Sequence, residues 1–93
     1  MSELIGPVAM ATALETLPLW SGSTTSLERT ITAPDFVTAV RVVDDVAVAV
    51  EEANHHPDID IRWNRVTLAL STHDQGALTS KDLDLAAEID GFV

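Results

Sequence analysis

The sequence predicts an α+β fold, in which a four-stranded antiparallel sheet carries helices on one face in the order α-β-β-α-β-β-α. Two observations predict it. The strand-like segments occur as two adjacent pairs joined by turns rather than by helices, which is the pattern of an antiparallel sheet. Segments with helical spacing of apolar residues stand before, between and after these pairs. A chain of 93 residues is sufficient for one such domain.

The first helix and the first hairpin are predicted before residue 34. The chain from Leu4 to Leu19 is rich in Ala and Leu, and Pro7 suits a first helical turn whereas Pro18 blocks continuation. From Trp20 to Ala33 the threonines favour strands. The pattern predicts a hairpin with its turn near Ser26 to Glu28.

The central helix is predicted from Asp35 to Asn54. Asp35 follows Pro34 and is a suitable N-cap, and the pair His56-Pro57 ends the helix because the residue before a proline avoids helical geometry. Additional valines widen the apolar surface, so we expect this helix to face a partner subunit as well as its own sheet. The apolar residues at three- and four-residue spacing are Phe36, Val40, Val43, Ala47 and Val50.

The second pair of strands begins at Asp58, where the hydrophobic period changes to two. The turn between the strands is predicted at Asn64-Arg65, although this pair lacks the usual Asn-Gly chemistry. The alternating apolar residues are Ile59, Ile61 and Trp63 in the first strand and Val66, Leu68 and Leu70 in the second.

The closing helix is predicted from Ser80 to about Ile89. Thr79 and Asp82, three residues apart, form the pattern of a capping box. The residues expected to face inward are Leu83, Ala86, Ala87 and Ile89.

Composition and charge exclude several classes of function. Fifteen acidic residues against five basic ones give a net charge of −10, which cannot supply the cationic surface that nucleic acid or an anionic membrane requires. The absence of cysteine excludes disulfides, thiolate zinc sites and a cysteine nucleophile. The sequence has no apolar run of about 18 residues and no basic leader. We therefore expect a soluble, cytoplasmic protein that binds neither nucleic acid nor membrane.

All three histidines, His55, His56 and His73, lie within nineteen residues. One interpretation is structural, because a cationic side chain complements a helix C-terminus, and from position alone this interpretation is favoured. A zinc site with nearby aspartates is another, but adjacent histidines usually diverge, so we expect no metal. A third is general acid–base catalysis, in which two imidazoles from different elements act on one small substrate. Glu51 lies one helical turn before His55, so both are expected on one face, unless Glu51 is simply a solvated carboxylate.

Around these histidines the sequence has the spaced pattern Glu51-x3-His55-His56-Pro57-x5-Trp63-x9-His73-x8-Asp82. This pattern resembles the signature of the pterin-4a-carbinolamine dehydratases (4a-hydroxytetrahydrobiopterin dehydratases). The runs Ser71-Thr72-His73 and Leu78-Thr79 continue the resemblance, which covers most of the chain from about Leu17. The predicted order of helices and strands is also that of the family.

The resemblance implies a carbon–oxygen lyase that removes water from a 4a-hydroxytetrahydropterin to give a quinonoid dihydropterin, without a cofactor. It implies His55 and His73 as the acid–base pair and His56 as a third site residue that binds and orients the pterin. The main chain of Ser71 and Thr72 would bind the pterin ring, and the residues bordering the site would be Glu51, Pro57 and Asp82.

The resemblance also implies that residues 1–93 form a single dehydratase-like domain that assembles into a homodimer or homotetramer. The alternative to an enzyme is a non-catalytic module that binds pterin or regulates a partner by dimerisation. Retention of all three histidines favours catalysis.

Overall fold

The computed structural model describes residues 4–72 and 76–93, and within them it confirms the predicted order of helices and strands. The four strands form one antiparallel sheet in the spatial order β1-β2-β4-β3. The elements are α1 (Pro7–Thr16), β1 (Ser21–Gly22), β2 (Leu27–Thr32), α2 (Phe36–Ala53), β3 (Asp58–Arg62), β4 (Arg65–Leu70) and α3 (Ser80–Asp90). No helix in the described part of the chain is both long enough and apolar enough to cross a membrane.

The register of the two inner strands determines what lies at each end of the sheet. β2 pairs with β4 from Leu27 opposite Leu70 to Thr32 opposite Arg65. On the other side of β4, Asp58 at the start of β3 lies opposite Ala69. The segment that enters β3 therefore lies beside the end of β4, which brings the residues after α2 close to those after Leu70.

The helices pack on one face of the sheet, as predicted. Along β4 the residues alternate between the buried and the more exposed face, and Val66, Leu68 and Leu70 are at most 1% exposed. On the opposite face, the hydroxyls of Thr30 and Thr67 form an exposed hydrogen bond of 2.9 Å. Each fully buried leucine stabilises the fold by about 2 kcal/mol, so β4 is the centre of the core.

The ends of α2 are those that the sequence predicts. The Asp35 carboxylate accepts a hydrogen bond of 2.8 Å from the Thr38 amide, which caps the N-terminus. At the other end Asn54 adopts the left-handed conformation with φ 50°, a conformation that asparagine tolerates better than most residues.

Of the five apolar residues at three- and four-residue spacing on α2, only two lie against the core. Val50 is buried and Val43 packs against the core, whereas Phe36, Val40 and Ala47 are exposed. The other buried residues of the helix are Ala39, Val46 and Ala49. The helix carries valine and alanine around most of its circumference, so apolarity alone did not select the face. The small side chain of Ala39 lets the backbone of α2 lie close to the core.

Both hairpin turns lie earlier in the chain than predicted. Leu27 already pairs with Gly22, so the first turn comprises residues 23–26, where the Ser23 amide donates to the Ser26 carbonyl at 2.9 Å. The hydroxyl of Ser23 also accepts from the Thr25 amide at 3.2 Å, a local bond typical of serine in turns.

The second turn is Trp63-Asn64, because Arg62 and Arg65 already pair with each other. Asn64 is fixed by Ala33, whose amide donates to the Asn64 carbonyl and whose carbonyl accepts from the Asn64 side chain, each at 2.8 Å. Trp63 consequently leaves the strand, takes a positive φ of 53° and is 75% exposed.

The two terminal helices differ from prediction in small ways. The helix α1 begins at Pro7 rather than near Leu4, because the Ile5 amide donates to the Leu78 carbonyl at 3.0 Å. In α3, Leu85 is buried and Ala87 is exposed, the reverse of the prediction for Ala87. The capping box of Thr79 and Asp82 is confirmed.

Candidate active site

The end of α2 and the end of β4 line an open cavity of about 450 Å³. The register of β3 on β4 brings these two segments together, since they lie at the same end of the sheet. A volume of this size is within the range of small-molecule sites. The residues that line it are Asn54, His55, His56, Pro57, Asp58, Ser71, Thr72 and Lys81.

Two histidines that are adjacent in the chain hydrogen-bond to different carboxylates. The helix ends at the left-handed Asn54, and the His55 amide still donates to the Val50 carbonyl at 3.1 Å. The His55 Nε2 lies 2.5 Å from an Asp82 oxygen, whereas the His56 Nε2 lies 2.7 Å from a Glu51 oxygen. Glu51 therefore pairs with His56, although its spacing predicted that it would share a face with His55.

The His55–Asp82 pair is enclosed. The side chain of His55 is 12% exposed and that of Asp82 is fully buried. The second oxygen of Asp82 accepts from the Thr79 amide at 3.0 Å and from the Thr72 hydroxyl at 2.8 Å. The Thr72 and Thr79 hydroxyls are also 2.8 Å apart. Every buried side-chain polar atom of the described residues has a partner, so this network is fully satisfied and rigid.

The His56–Glu51 pair is open to water, with side chains that are 53% and 76% exposed. An exposed pair of this kind adds little to stability. It leaves His56 at the rim of the cavity, where an incoming molecule can reach it.

Ser71 and Thr72, whose main chain the family resemblance implies as pterin-binding, line the cavity after β4. The Thr72 amide donates to the Ala77 carbonyl at 3.0 Å, so this N–H group is already engaged within the fold. The Thr72 hydroxyl is engaged with Asp82. Thr72 thus serves the buried network through its side chain, a role that the sequence did not indicate.

Three residues of the cavity wall are absent from the predicted site: Asn54, Asp58 and Lys81. The position of Asp58 follows from the β3–β4 register, because its partner Ala69 lies two residues before Ser71. Lys81 stands directly before Asp82 on the first turn of α3. Among the described residues that line the cavity, Lys81 is the only lysine or arginine.

The predicted site residue His73 lies outside the described residues, as does Asp74, which belongs to the zinc alternative. Within residues 4–72 and 76–93, no group of three or more histidine and acidic side chains is placed to hold a metal ion. The catalytic role of His73 therefore stays a prediction.

A second cavity, of about 410 Å³, lies between α2 and the end of α3. It combines carboxylates with apolar side chains and contains no histidine, so it offers no imidazole for acid–base work. Its lining residues are Asp45, Val48, Ala49, Glu52, Glu88 and Phe92. The histidine cavity is therefore the candidate active site.

Known proteins are similar to this sequence over most or all of its length. A family model described as pterin 4 alpha carbinolamine dehydratase matches residues 4–92. A protein of Nocardia farcinica, provisionally named a pterin-4-alpha-carbinolamine dehydratase, is 52% identical over 96% of this chain and 94% of its own length. A protein of Roseiflexus castenholzii with the same provisional name is 45% identical over 100% of both chains.

Two solved structures share the fold. The transcriptional coactivator/pterin dehydratase from Brucella melitensis has a TM-score of 0.90 and 26% identity, and the match covers 96% of this chain and 97% of that chain. A pterin dehydratase-like protein identified as a RuBisCO assembly factor in the alpha-carboxysome has a TM-score of 0.63 and 19% identity, over 77% and 83% of the two chains. The second likeness shows a common fold alone. The match of the family model, together with relatives that are about half identical in sequence, shows that this chain belongs to the pterin 4 alpha carbinolamine dehydratase family.

Proposed function

We propose that this protein is a 4a-hydroxytetrahydropterin dehydratase, a carbon–oxygen lyase that acts in tetrahydropterin recycling in the cytoplasm. The observation that supports it most directly is His55, which lines a cavity of about 450 Å³ and pairs with the buried Asp82. Family membership supplies the substrate class, and the cavity supplies an imidazole held in one orientation.

The reaction needs two proton transfers. The C4a hydroxyl must gain a proton so that it leaves as water, and the proton on N5 must be removed. As the C4a–O bond breaks, the electron pair on N5 forms the new double bond to C4a, so the products are one quinonoid dihydropterin and one water. Imidazoles suit both transfers at neutral pH.

In this proposal His55 and His73 carry the two proton transfers. The fully buried Asp82 lies 2.5 Å from the Nε2 of His55 and holds the imidazole in one orientation. His56 at the cavity rim, with Glu51 behind it, orients the pterin. Pro57, Ser71 and Thr72 form part of the wall against which the flat ring lies.

The test is turnover of substrate that is generated in situ, followed by the ultraviolet absorbance of the quinonoid product. We expect an acceleration of about 10²-fold or more over the spontaneous rate. His55→Gln and His73→Gln should each lose most of it, whereas His56→Gln should mainly raise KM. Circular dichroism of each variant serves as the control that it is folded.

An absence of acceleration by the folded wild-type protein would refute the enzyme. If that protein still bound a reduced pterin in equilibrium dialysis, the alternative of a non-catalytic pterin-binding or regulatory module would replace it.

We further propose that the chain forms a homodimer or homotetramer. Apolar side chains remain exposed on α2, including Val37 at 59% and Val48 at 62%. The edge strand β3 also leaves Ile59 and Ile61 about two-fifths exposed. A second copy would bury such surfaces and pair the free strand edge.

A further inference from the structure

The geometry around Asp82 points to a specific nitrogen of His55 as the working atom. We propose that Thr72 and Asp82 hold neutral His55 as the Nε2–H tautomer, so that Nδ1 is the atom that exchanges protons with the substrate. The catalytic part rests on the proposed function, whereas the tautomer is a property of the protein alone. Thr72 and Asp82 act here as positioning residues.

One oxygen of Asp82 faces away from His55 and towards the two threonines. This oxygen accepts from the Thr79 amide at 3.0 Å and from the Thr72 hydroxyl at 2.8 Å. The amide N–H can only donate, and the Thr72 hydroxyl donates as well, so this oxygen is the acceptor in both bonds. Any proton between Asp82 and His55 must lie on the other side, along the 2.5 Å contact with Nε2. Both oxygens of a carboxylate can only accept, so the proton of this contact lies on Nε2.

The hydrogen bonds of the Thr72 and Thr79 hydroxyls each have a defined donor. A hydroxyl has one proton, and Thr72 gives its proton to Asp82. In the 2.8 Å contact between the two threonines, Thr79 must then donate and Thr72 must accept. Thr72 and Thr79 are 7% and 0% exposed, so water cannot replace either bond. The hydroxyl donors therefore point in one direction, from Thr79 through Thr72 to the Asp82 carboxylate, whose other oxygen accepts from His55.

The two oxygens of Asp82 have separate roles in helix capping and in the contact with His55. Capping of α3 uses the oxygen that faces Thr79, and the oxygen that faces His55 takes no part in that bond. A residue that only capped the helix would not need a second acceptor there. Asp82→Asn therefore preserves the cap with its amide oxygen and turns its NH₂ group towards Nε2. An NH₂ donor requires Nε2 to accept, which moves the neutral proton of His55 to Nδ1.

The experiment is ¹⁵N NMR of protein labelled at histidine, with His55 assigned by comparison with His55→Gln. At a pH where the imidazoles are neutral, we expect a protonated Nε2 in the wild type and a protonated Nδ1 in Asp82→Asn. Asp84→Asn, an exposed carboxylate on the same helix, should leave the wild-type spectrum unchanged. A wild-type Nδ1–H tautomer, or a tautomer unaffected by Asp82→Asn, would overturn the proposal.

Turnover provides the second readout. We expect Asp82→Asn to lower kcat by at least about 10²-fold, because the wrong nitrogen then carries the proton. Thr72→Val should lower kcat by about 10-fold and change the acidic limb of the pH–rate profile, and Thr72→Ser should restore both. If Thr72→Ser behaved like Thr72→Val, the hydroxyl would not be the acting group and its role would be refuted. If the wild type lacked turnover but kept the Nε2–H tautomer, only the proposed function would fail.

Discussion

Two adjacent histidines face two carboxylates in this site, one pair almost enclosed and the other largely in water. His55 and Asp82 lie at 2.5 Å with little exposure, and His56 and Glu51 lie at 2.7 Å with most of their surface exposed. Burial strengthens the interaction of an ion pair and fixes its geometry. This difference is the basis of the roles that we propose, proton transfer for His55 and adaptable contact with the substrate for His56.

Glu51→Gln should separate binding from stability. Because the pair is exposed, we expect the free energy of unfolding in urea to change by less than about 0.5 kcal/mol. Loss of the partner of His56 should raise KM by about two- to five-fold at unchanged kcat, which corresponds to the energy of an exposed pair. Glu52→Gln, its exposed neighbour in the chain, should leave KM unchanged. An unaltered KM in Glu51→Gln would contradict the orienting role of His56.

At the scale of helices and strands, the ends of an element are set by residues close together in the sequence. The face that an element buries is set by residues that are distant in the sequence. Asp35 and Thr38 form a cap within four residues of sequence, and the capping box of α3 is equally local, so the sequence predicts both. The rotation of α2 depends instead on which side chains fit against the sheet, and valines surround much of the helix. Trp63 leaves β3 because of bonds between Asn64 and the distant Ala33.

In the candidate site, too, the sequence indicates local features but not contacts between distant residues. Family resemblance supplies the residue types, and the register of β3 places them at one end of the sheet. The partners of the histidines follow from the left-handed turn at Asn54, which the spacing of Glu51 and His55 does not reveal. The buried contact of Thr72 with Asp82 joins residues of two elements, so no periodicity in the sequence could indicate it.

The N-cap of α2 makes the free energy of unfolding depend on pH in the acidic range. Hydrogen bonds from the Thr38 hydroxyl and amide lower the pKa of the Asp35 carboxyl. The contribution of Asp35 is therefore complete above the unfolded-state value of about 3.9 and is lost as the pH falls through the lower folded-state value. Asp35→Asn still caps the helix but does not titrate.

We expect the urea midpoint of Asp35→Asn to fall less between pH 5 and about pH 3 than that of the wild type. Asp44→Asn, an exposed change within α2, serves as the control for the loss of one charge. Equal losses in the wild type and in Asp35→Asn would refute the contribution of the cap.

Asp90 joins the end of α3 to the sheet. One of its oxygens accepts from Arg29 at 2.5 Å and from the Trp20 indole at 2.8 Å. Arg29 lies opposite Leu68 on the core face of the sheet and its side chain is 11% exposed. Asp90→Ala leaves two donors without this acceptor, and we expect it to destabilise the fold by about 2–3 kcal/mol in urea unfolding.

The matched change for that experiment is Asp84→Ala, on an exposed turn of the same helix. It should alter the free energy of unfolding by no more than about 0.5 kcal/mol. Similar losses in Asp84→Ala and Asp90→Ala would show that helical propensity, rather than the link to Arg29 and Trp20, causes the effect.

At the scale of the whole molecule, charge and apolar surface oppose each other. A net charge of −10 on 93 residues repels a second copy, while the exposed valines of α2 and the edge of β3 favour one. Salt shortens the range of the repulsion, from about 30 Å at 0.01 M to about 10 Å at 0.1 M. Salt does not screen the favourable burial of apolar surface between two copies.

Light scattering coupled to size-exclusion chromatography should therefore show a larger mass at 0.3 M salt than at 0.01 M salt. Val48→Asn should reduce the association at both salt concentrations, because it removes apolar surface from α2 without changing the charge. Val8→Asn, at an 83% exposed position on α1, is the matched control. A monomer at every salt concentration would refute the proposed oligomer.

The two oxygens of Asp82 connect the beginning of α3 with the imidazole of His55. Helix ends open more readily than helix centres, and they do so before a protein unfolds as a whole. On warming, fraying of the first turn of α3 would release Asp82 and leave His55 without its partner while the sheet is still intact. Heat should accordingly abolish the proposed dehydratase activity reversibly at temperatures below the unfolding midpoint, and ligands that bind at the start of α3 should raise the temperature at which that activity is lost.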